Sequence, residues 1–437
     1  MGIDEEDVEE MSGYLRKCCD RHIGSWISLL VLTCIFIILL AKGVVLASDL
    51  QSNRTSADRT VKVLFIGNSY TYFNNLPHLL EQFSVSAGKH IETKMVVEGG
   101  ATLQDQWERG DALKVIRESS WDYVILQDQS TLGAYVVNGQ AQVADPEYFH
   151  RYARMFDQEI KKAGAKTIFY LTWARKGAPE RDQAALSYAY MSIARELKGL
   201  VAPVGIVWQE VRRENPNVEL YIKDNSHPTG VGSYVAASVL YRTIYGTSPI
   251  GLPDRINGNP VDDDGNVDTT KDATLVDLSH SDAELIQRTA SETYRKMKAS
   301  GGYLSAPKPP PPFLPEVPTG QEPRARDLEG LWDGVLNFYP VPWPAKMELR
   351  LLHENGEWKA ELTIKFEGHP DSDKTPQITN FKITRANISF LDATGVSGAP
   401  IRYTAAFSGG ALVGIAEAKV EGKPISAIGS WELRQQN

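Results

Sequence analysis

Beyond residue 34 the sequence contains no cysteine. The three cysteines of the 437-residue chain are Cys18, Cys19 and Cys34, so the rest of the chain can form neither a disulfide bond nor a thiolate metal site. The eight histidines are scattered, without the short spacings of a zinc site. We therefore expect a fold that is stable without covalent cross-links, and no metal or other cofactor.

The sequence also lacks a long basic segment. Its formal net charge is −9, whereas a protein that binds nucleic acid needs clustered lysine and arginine side chains to contact phosphates. With 42% hydrophobic and 23% charged residues, the chain has the composition of a folded globular protein. The composition thus predicts no nucleic-acid partner, and the length allows two or three domains.

Only one apolar run is long enough to interact with a membrane, at residues 26–41, after a positively charged segment. One interpretation is a signal peptide that is cleaved next to Ser48; the other is a membrane anchor. Both assign residues 1–47 to this leader and residues 48–60 to a polar tether. Both also predict that the remainder is exported, either secreted or periplasmic, or tethered to the membrane through residues 26–47.

An apolar, β-branched run at residues 61–66 is followed by Gly67, Asn68 and Ser69. Such a run is typical of a central parallel strand that is buried on both faces. Open α/β sheets place ligands and reacting groups at the carboxyl ends of their strands, which makes Ser69 a candidate nucleophile. The alternative is that Asn68 and Ser69 only form the turn and cap of the next helix.

Four more strand-and-helix units follow this strand. The strands are predicted at residues 90–98, 122–126, 166–172 and 200–208. The connecting segments are predicted as helices at residues 75–87, 103–118, 146–163 and 179–198, with a polar loop at residues 131–145. This alternation predicts crossover connections and an α/β fold, with a five-stranded parallel sheet covered by helices on both faces.

A second polar cluster, from Asp224 to His227, lies at the entrance to a predicted helix. Asp224 precedes His227 by three residues, so its carboxylate can fold back to the imidazole. A histidine that a carboxylate orients in this way can accept the proton of a serine hydroxyl at neutral pH. The alternative is that both residues serve only as turn and capping residues.

The acidic segment at residues 262–268 does not fit a calcium-binding loop. With Gly265 at the sixth position, Pro260 would be first and Lys271 twelfth, where carboxylates are required. We therefore interpret the segment as a solvated loop. A capping box at Ser281–Glu284 then predicts the last helix of the α/β domain.

A proline-rich linker separates this domain from the rest of the chain. Residues 305–327 include eight prolines, which predicts a semi-rigid, extended spacer. Residues 61–304 are therefore expected to form an independent domain.

Residues 328–437 contain eight short alternating runs separated by glycine, asparagine and aspartate turns. This pattern predicts an antiparallel all-β barrel or sandwich. Trp332 and Trp431 each lie near a glycine, and we interpret them as barrel core rather than as a platform for a sugar ring. An accessory role in binding a polymer or glycan is one expectation for this domain.

Four motifs occur in the order and spacing of one family: Gly67-Asn68-Ser69, Gly99-Gly100, Gln127-Asp128-Gln129 after the third strand, and Asp224-x-x-His227. Residues 61–300 resemble the SGNH (GDSL-like) hydrolases, in particular an uncharacterised bacterial subgroup with a Gly-Asn-Ser-Tyr-Thr motif. The resemblance implies a three-layer α/β/α sandwich with the flavodoxin-like strand order 2-1-3-4-5. It also implies that Ser69 is the nucleophile, His227 the general base and Asp224 the residue that orients His227.

The resemblance further implies an oxyanion hole made by the Ser69 N–H, a glycine N–H after the second strand and an asparagine amide after the third. Gly99 or Gly100 fits the second role. No asparagine follows the third strand, where Gln129 aligns with it and Gln127 is the alternative. The family's usual aspartate before the serine is also replaced, by Asn68.

The function expected from these residues is that of an exported serine esterase that forms an acyl-enzyme. Its substrate is a small-molecule or polysaccharide ester, with acetyl esters of carbohydrates as one candidate. The alternatives are an acyltransferase that uses the same triad and a catalytically inactive glycan-binding protein on the hydrolase scaffold. The presence of Ser69, Asp224 and His227 together argues against the inactive alternative.

Overall fold

The computed structural model describes residues 59–311, 314–338, 344–368, 373–384, 387–396 and 398–436. The expected signal peptide or anchor, and all but the end of the polar tether, lie outside these residues. Within the described ranges, no helix is both long enough and apolar enough to cross a membrane. The described residues from Val61 onward form one compact unit.

The first part of this unit contains a parallel sheet. Its strands and those of the adjoining hairpin are β1 (Val61–Gly67), β2 (Ile91–Val97), β3 (Tyr123–Leu126), β4 (Ala134–Val137), β5 (Gln140–Ala141), β6 (Lys166–Tyr170) and β7 (Leu200–Ala202). Five of them pair in parallel in the order β2-β1-β3-β6-β7. Counting only these five, the order is 2-1-3-4-5, so the predicted parallel α/β sheet is confirmed.

Helices cover both faces of the sheet. They are α1 (Ser69–Tyr72), α2 (Leu76–Ser86), α3 (Leu103–Arg109), α4 (Asp111–Glu118), α5 (Glu147–Lys162), α6 (Glu180–Leu197), α7 (Val204–Glu214), α8 (Gly230–Tyr245) and α9 (His280–Ala299). In β1, Val63 and Phe65 pack into one core with α2, α7, α8 and α9. Leu64 and Ile66 pack into a second core with α3 to α6, because successive strand residues face opposite sides.

The fifth strand of the sheet is shorter than predicted. The expectation of a strand over residues 200–208 is wrong beyond Ala202, because Pro203 has no N–H with which to extend the strand pairing. The carbonyl of Pro203 instead accepts a hydrogen bond from the Val207 N–H (3.1 Å) in the first turn of α7. Buried residues then recur at helical spacing, at Val204, Val207, Trp208 and Val211.

The predicted helix over residues 103–118 is divided into α3 and α4 at Gly110. Gly110 has φ +83°, a left-handed conformation that favours glycine. The acidic segment at residues 262–268 lies between two short antiparallel strands that the sequence did not predict, β8 (Arg255–Gly258) and β9 (Ala273–Asp277).

The C-terminal part contains the eight predicted strands. After a short helix, α10 (Ala325–Leu328), they are β10 (Gly330–Asn337), β11 (Ala345–Glu354), β12 (Glu357–Lys365), β13 (Ile378–Thr384), β14 (Asn387–Val396), β15 (Ala399–Ser408), β16 (Ala411–Lys419) and β17 (Ile425–Gln435). Their antiparallel order is β12-β11-β10-β17-β16-β15-β14-β13, a nearly closed barrel. Trp332 and Trp431 are buried in its core, where their indole N–H groups donate to the carbonyls of Leu328 and Ile415.

The segment at residues 131–145, expected to be a loop, contains the hairpin of β4 and β5. Strand β4 leaves the α/β part and pairs in parallel with β17 of the barrel, from Ala134 opposite Ile425 to Val137 opposite Ile428. The hairpin is therefore a structural bridge between the two parts of the compact unit.

Candidate active site

Ser69 lies at the carboxyl end of β1, as the first residue of the short helix α1. Asn68 caps this helix, because its Oδ1 accepts a hydrogen bond from the Tyr70 N–H (3.1 Å). Gly67 leaves no room for a side chain, since a Cβ there would come within 2.5 Å of the Gln127 Oε1. This tight turn presents the Ser69 hydroxyl at the edge of the sheet.

The imidazole of His227 lies between Ser69 and Asp224. Its Nε2 is 2.8 Å from the Ser69 Oγ, and its Nδ1 is 2.5 Å from the Asp224 Oδ2. The ring stacks on Phe73, with ring centres 4.4 Å apart and planes 13° apart. With the Nδ1 proton directed at Asp224, Nε2 is left to accept the serine proton.

The loop before α8 fixes the Asp224 carboxylate. Its Oδ1 accepts hydrogen bonds from the backbone N–H groups of Ser226 (2.8 Å) and His227 (2.9 Å), while Asn225 adopts a left-handed conformation with φ +60°. Burial raises the pKa of Asp224, but the hydrogen bonds from His227 and Ser226 outweigh burial and hold the pKa below its ordinary value. Asp224 therefore remains a carboxylate beside His227.

An aromatic stack that the sequence analysis did not identify supports this loop. Tyr70 stacks on Trp173 with ring centres 4.5 Å apart, and Trp173 stacks on Trp208 at 3.9 Å. The Tyr70 hydroxyl is hydrogen-bonded to the Ser226 Oγ (2.8 Å), and the Trp173 Nε1 donates to the Ser226 carbonyl (3.0 Å). The stack thus ties the residue after Ser69 to the residue before His227. In the sequence these side chains are indistinguishable from ordinary core residues.

The Gly99-Gly100 turn follows β2 and is fastened to the residue before Ser69. The Ala101 N–H donates to the Glu98 carbonyl (3.2 Å) across the turn, and the Asn68 Nδ2 donates to the Ala101 carbonyl (2.8 Å). An aspartate in place of Asn68 could not donate this second bond. The N–H groups of Ser69, Gly99 and Gly100 make no hydrogen bond to a described residue, so they are free to donate to a substrate.

Gln127 has no free donor. Its Nε2 donates to the Asn68 Oδ1 (2.9 Å) and to the Asp128 carbonyl (2.5 Å). Its Oε1 accepts from the Asn68 N–H (2.9 Å) and the Thr71 hydroxyl (2.8 Å), and the residue is fully buried. Gln127 therefore holds the Ser69 turn in place and cannot donate to a substrate in this arrangement.

Gln129 is oriented by its oxygen and keeps its nitrogen free. Its Oε1 accepts from the backbone N–H groups of Thr131 (2.6 Å) and Gly133 (3.3 Å). Its Nε2 has no hydrogen-bond partner in the part of the chain that the structure describes, and the side chain is half-buried. Of the two glutamines that are candidates for the oxyanion hole, Gln129 is the one whose N–H groups have no partner among the described residues.

Asp128, between the two glutamines, is a buried carboxyl group to which the sequence motif assigned no role. It accepts hydrogen bonds from the backbone N–H groups of Leu103 (3.1 Å) and Gln129 (2.6 Å). Burial raises its pKa to about 7. Asp128 thereby joins the loop after β3 to the start of α3. No local sequence pattern indicates that its carboxyl group is buried.

The acidic loop at residues 262–268 lies against the same edge of the sheet. The Tyr72 hydroxyl donates to the Asp263 carbonyl (2.6 Å), and Tyr72 belongs to α1. The Asp262 Oδ1 accepts from the N–H groups of Asp264 (3.0 Å) and Asn266 (2.8 Å), so this carboxylate is used to form the turn.

No protein-family model and no curated protein matches the chain. Among solved structures, it is similar to a proposed SGNH hydrolase from Slackia heliotrinireducens, with 25% identity, 43% of this chain and 100% of that chain covered, and a TM-score of 0.36. It is also similar to a DUF4886 family protein from Bacteroides uniformis, with 15% identity, 57% and 98% coverage, and a TM-score of 0.41.

A third similar structure is the acetyl xylan esterase AlAXEase, with 15% identity, 42% of this chain and 100% of that chain covered, and a TM-score of 0.35. These structures include members of the superfamily that the sequence motifs resemble.

Proposed function

We propose that the protein is a carboxylic-ester hydrolase of the SGNH type, with Ser69 as nucleophile, His227 as general base and Asp224 as the residue that orients His227. The observation that carries the proposal is the continuous line of hydrogen bonds from the Ser69 Oγ through both imidazole nitrogens to the Asp224 Oδ2. A histidine between a serine and a carboxylate supplies the proton transfers that acyl transfer requires.

In the acylation step the Ser69 Oγ attacks the ester carbonyl carbon while its proton moves to the His227 Nε2. The tetrahedral intermediate then collapses: the bond to the alcohol oxygen breaks, and His227 returns the proton to the departing alcohol. A water molecule repeats the sequence on the acyl-enzyme, releasing the acid and restoring the Ser69 hydroxyl. Asp224 stabilises the imidazolium in both halves of the reaction.

The carbonyl oxygen becomes negatively charged in the tetrahedral intermediate, and hydrogen-bond donors that are already in position stabilise this charge. We assign this role to the Ser69 N–H, the N–H of Gly99 or Gly100, and the Gln129 amide, because these donors lack other partners among the described residues. Gln127 supports the site indirectly, through the four hydrogen bonds that link it to Asn68, Thr71 and Asp128.

The proposed substrates are acyl esters, with acetyl esters of carbohydrates as the first class to test. The proposal includes export of residues 48–437, which rests on the apolar run at residues 26–41. In this setting the C-terminal barrel is available for an accessory role on polymeric esters.

Turnover of p-nitrophenyl acetate by the wild type and by Ser69→Ala tests the proposal. Loss of a triad nucleophile lowers kcat by about 10⁶, whereas the exposed control Ser281→Ala should retain activity. Far-UV circular dichroism should be the same in all three proteins. Equal turnover by Ser69→Ala, or no turnover by the wild type, would contradict the assignment, and acyl transfer to added sugars in place of hydrolysis would identify an acyltransferase.

A further inference from the structure

Arg175 is a half-buried cation beside the candidate site, and it forms no ion pair with any described residue. Its Nε and Nη2 donate to the Ser130 Oγ at 3.4 and 3.2 Å. Ser130 is itself buried and follows Gln129 directly. A single hydroxyl oxygen leaves most of the guanidinium's donors unused.

Arg175 lies between the residues that follow Gln129, which its side chain contacts, and the loop that carries His227, which the next residue contacts. The Lys176 N–H donates to the Asn225 carbonyl (2.8 Å) in the loop that carries His227. The Tyr70 pKa is raised by burial, and the nearby Arg175 charge opposes this shift. In the proposed mechanism His227 protonates the departing alcohol, so the alcohol portion of an ester lies next to His227 and its loop.

A cavity of about 470 Å³ opens next to Arg175, and Arg212 lines it too. The Arg212 guanidinium stands over the Tyr221 ring, 5.2 Å from its centre, and it also forms no ion pair in the described part of the chain. Glu180 is the single carboxylate among the described residues that line the cavity. Two guanidinium groups that line one cavity repel each other, so an anion bound between them would stabilise both.

We propose that Arg175 and Arg212 form a subsite for an anionic group, a carboxylate or a sulfate, carried by the alcohol portion of the ester. A guanidinium donates two parallel hydrogen bonds to either group. The substrate class is then an acyl ester of an acidic carbohydrate or another acidic alcohol. This inference rests on the proposed function, since it takes the leaving alcohol to lie on the His227 side.

The test compares kcat/KM for three acetyl esters: of methyl glucuronide, of a glucose sulfate, and of the neutral methyl glucoside. We expect the wild type to prefer at least one acidic ester over the neutral one by about tenfold or more, the range of a charge-assisted hydrogen-bonded pair. The preferred acidic ester identifies carboxylate or sulfate. Added salt should reduce the preference, because part of the cavity is open to solvent.

Arg175→Gln should remove most of this preference, mainly through KM for the acidic ester. Arg175→Lys should retain part of it, because the charge remains but the planar pair of donors is lost. Arg213→Gln is the matched control: Arg213 is exposed, adjacent to Arg212 and paired with Glu210, and its loss should leave the preference intact. Equal kcat/KM for all three esters, or a preference that survives in Arg175→Gln, would overturn the proposal.

A binding measurement separates this inference from the proposed function. The Ser69→Ala variant cannot hydrolyse an ester by the proposed route. Calorimetric titration of this variant with methyl glucuronide, glucose sulfate and methyl glucoside therefore measures binding at the subsite alone. Tighter binding of an acidic sugar that Arg175→Gln abolishes supports the anion subsite even if the wild type hydrolyses none of the esters. Equal binding of all three sugars contradicts it even if the esterase is active.

Discussion

Gln127 and Gln129 carry the same amide two residues apart, yet their surroundings give them different roles. Gln127 uses its oxygen to hold Asn68 and Thr71, and its two N–H groups donate to the Asn68 Oδ1 and the Asp128 carbonyl. Gln129 uses only its oxygen, on the turn at residues 131–133. The sequence left both as candidates, because an alternating strand pattern cannot show which of two polar side chains is already paired.

Substituting the two glutamines should therefore separate catalysis from stability. We expect Gln129→Ala to lower kcat by about 10²–10³ with little change in KM, the usual cost of one oxyanion donor. We expect Gln127→Ala to lower the free energy of unfolding by roughly 1–3 kcal/mol, because it leaves buried partners unpaired. Kinetics at saturating acetyl ester and urea unfolding of both variants provide the measurement.

The exposed Gln140 lies on the neighbouring hairpin, and Gln140→Ala is the control for both effects. If Gln127→Ala alone loses kcat while its stability matches the wild type, the two roles are reversed. If neither variant loses kcat, the backbone donors of Ser69 and Gly99 or Gly100 carry the oxyanion alone.

Strands and helices were predicted correctly where a pattern within one short segment of the sequence determines them. All five parallel strands and all eight barrel strands were identified, because each is a short apolar or alternating run between turn residues. The prediction failed after Pro203, because residues 204–208 are apolar enough to fit either a buried strand or the 3.6-residue repeat of a helix. It also missed strand β4, whose partner β17 lies nearly three hundred residues away along the chain, so no local pattern could indicate the pairing.

The loop after β3 and the start of α3 are held together by Asp128, which should make stability depend on pH. Burial raises the pKa of Asp128 to about 7, against about 4 in an unfolded chain. The folded protein thus binds this proton more tightly than the unfolded chain. The associated stability is present below about pH 4 and is lost as the pH rises from about 4 to about 7.

Asp128→Asn removes this titration while keeping the shape of the side chain. Its free energy of unfolding, relative to the wild type, should rise by a few kcal/mol between about pH 4 and pH 7 and then level off. Urea unfolding of both proteins at half-unit intervals of pH measures the difference. A difference that is constant over this window would show that Asp128 does not titrate there.

At the scale of the whole molecule, the proline-rich linker and the β4–β17 pairing lead to different expectations about whether the α/β part can function without the barrel. The linker alone predicts that residues 61–304 work independently. In the structure, however, β4 belongs to the barrel sheet. The Ala134 N–H donates to the Pro424 carbonyl (2.8 Å), and Lys423 forms an ion pair with Glu108. A Cβ on Gly133 would lie 2.2 Å from the Pro424 carbonyl oxygen, so the barrel packs directly against the turn that orients Gln129.

We therefore expect a protein that ends at Ser305 to lose kcat on small soluble esters, because β4 and the Gln129 turn lose their support. A protease site inserted in the linker is the matched control. Cleavage there breaks the chain but leaves the β4–β17 pairing, and activity should persist. A truncated protein that is folded, by circular dichroism and size-exclusion chromatography, and has wild-type kcat would show that the α/β part is independent after all.

The most direct test of the Ser69–His227–Asp224 assignment is covalent labelling with a serine-reactive fluorophosphonate, followed by peptide mass spectrometry. The assigned hydrogen bonds predict one adduct per chain, located on Ser69, forming in proportion to the loss of esterase activity. They also predict that His227→Ala slows the labelling, because the Ser69 hydroxyl loses its base. Labelling at another serine, or full inactivation with Ser69 unmodified, would contradict the account.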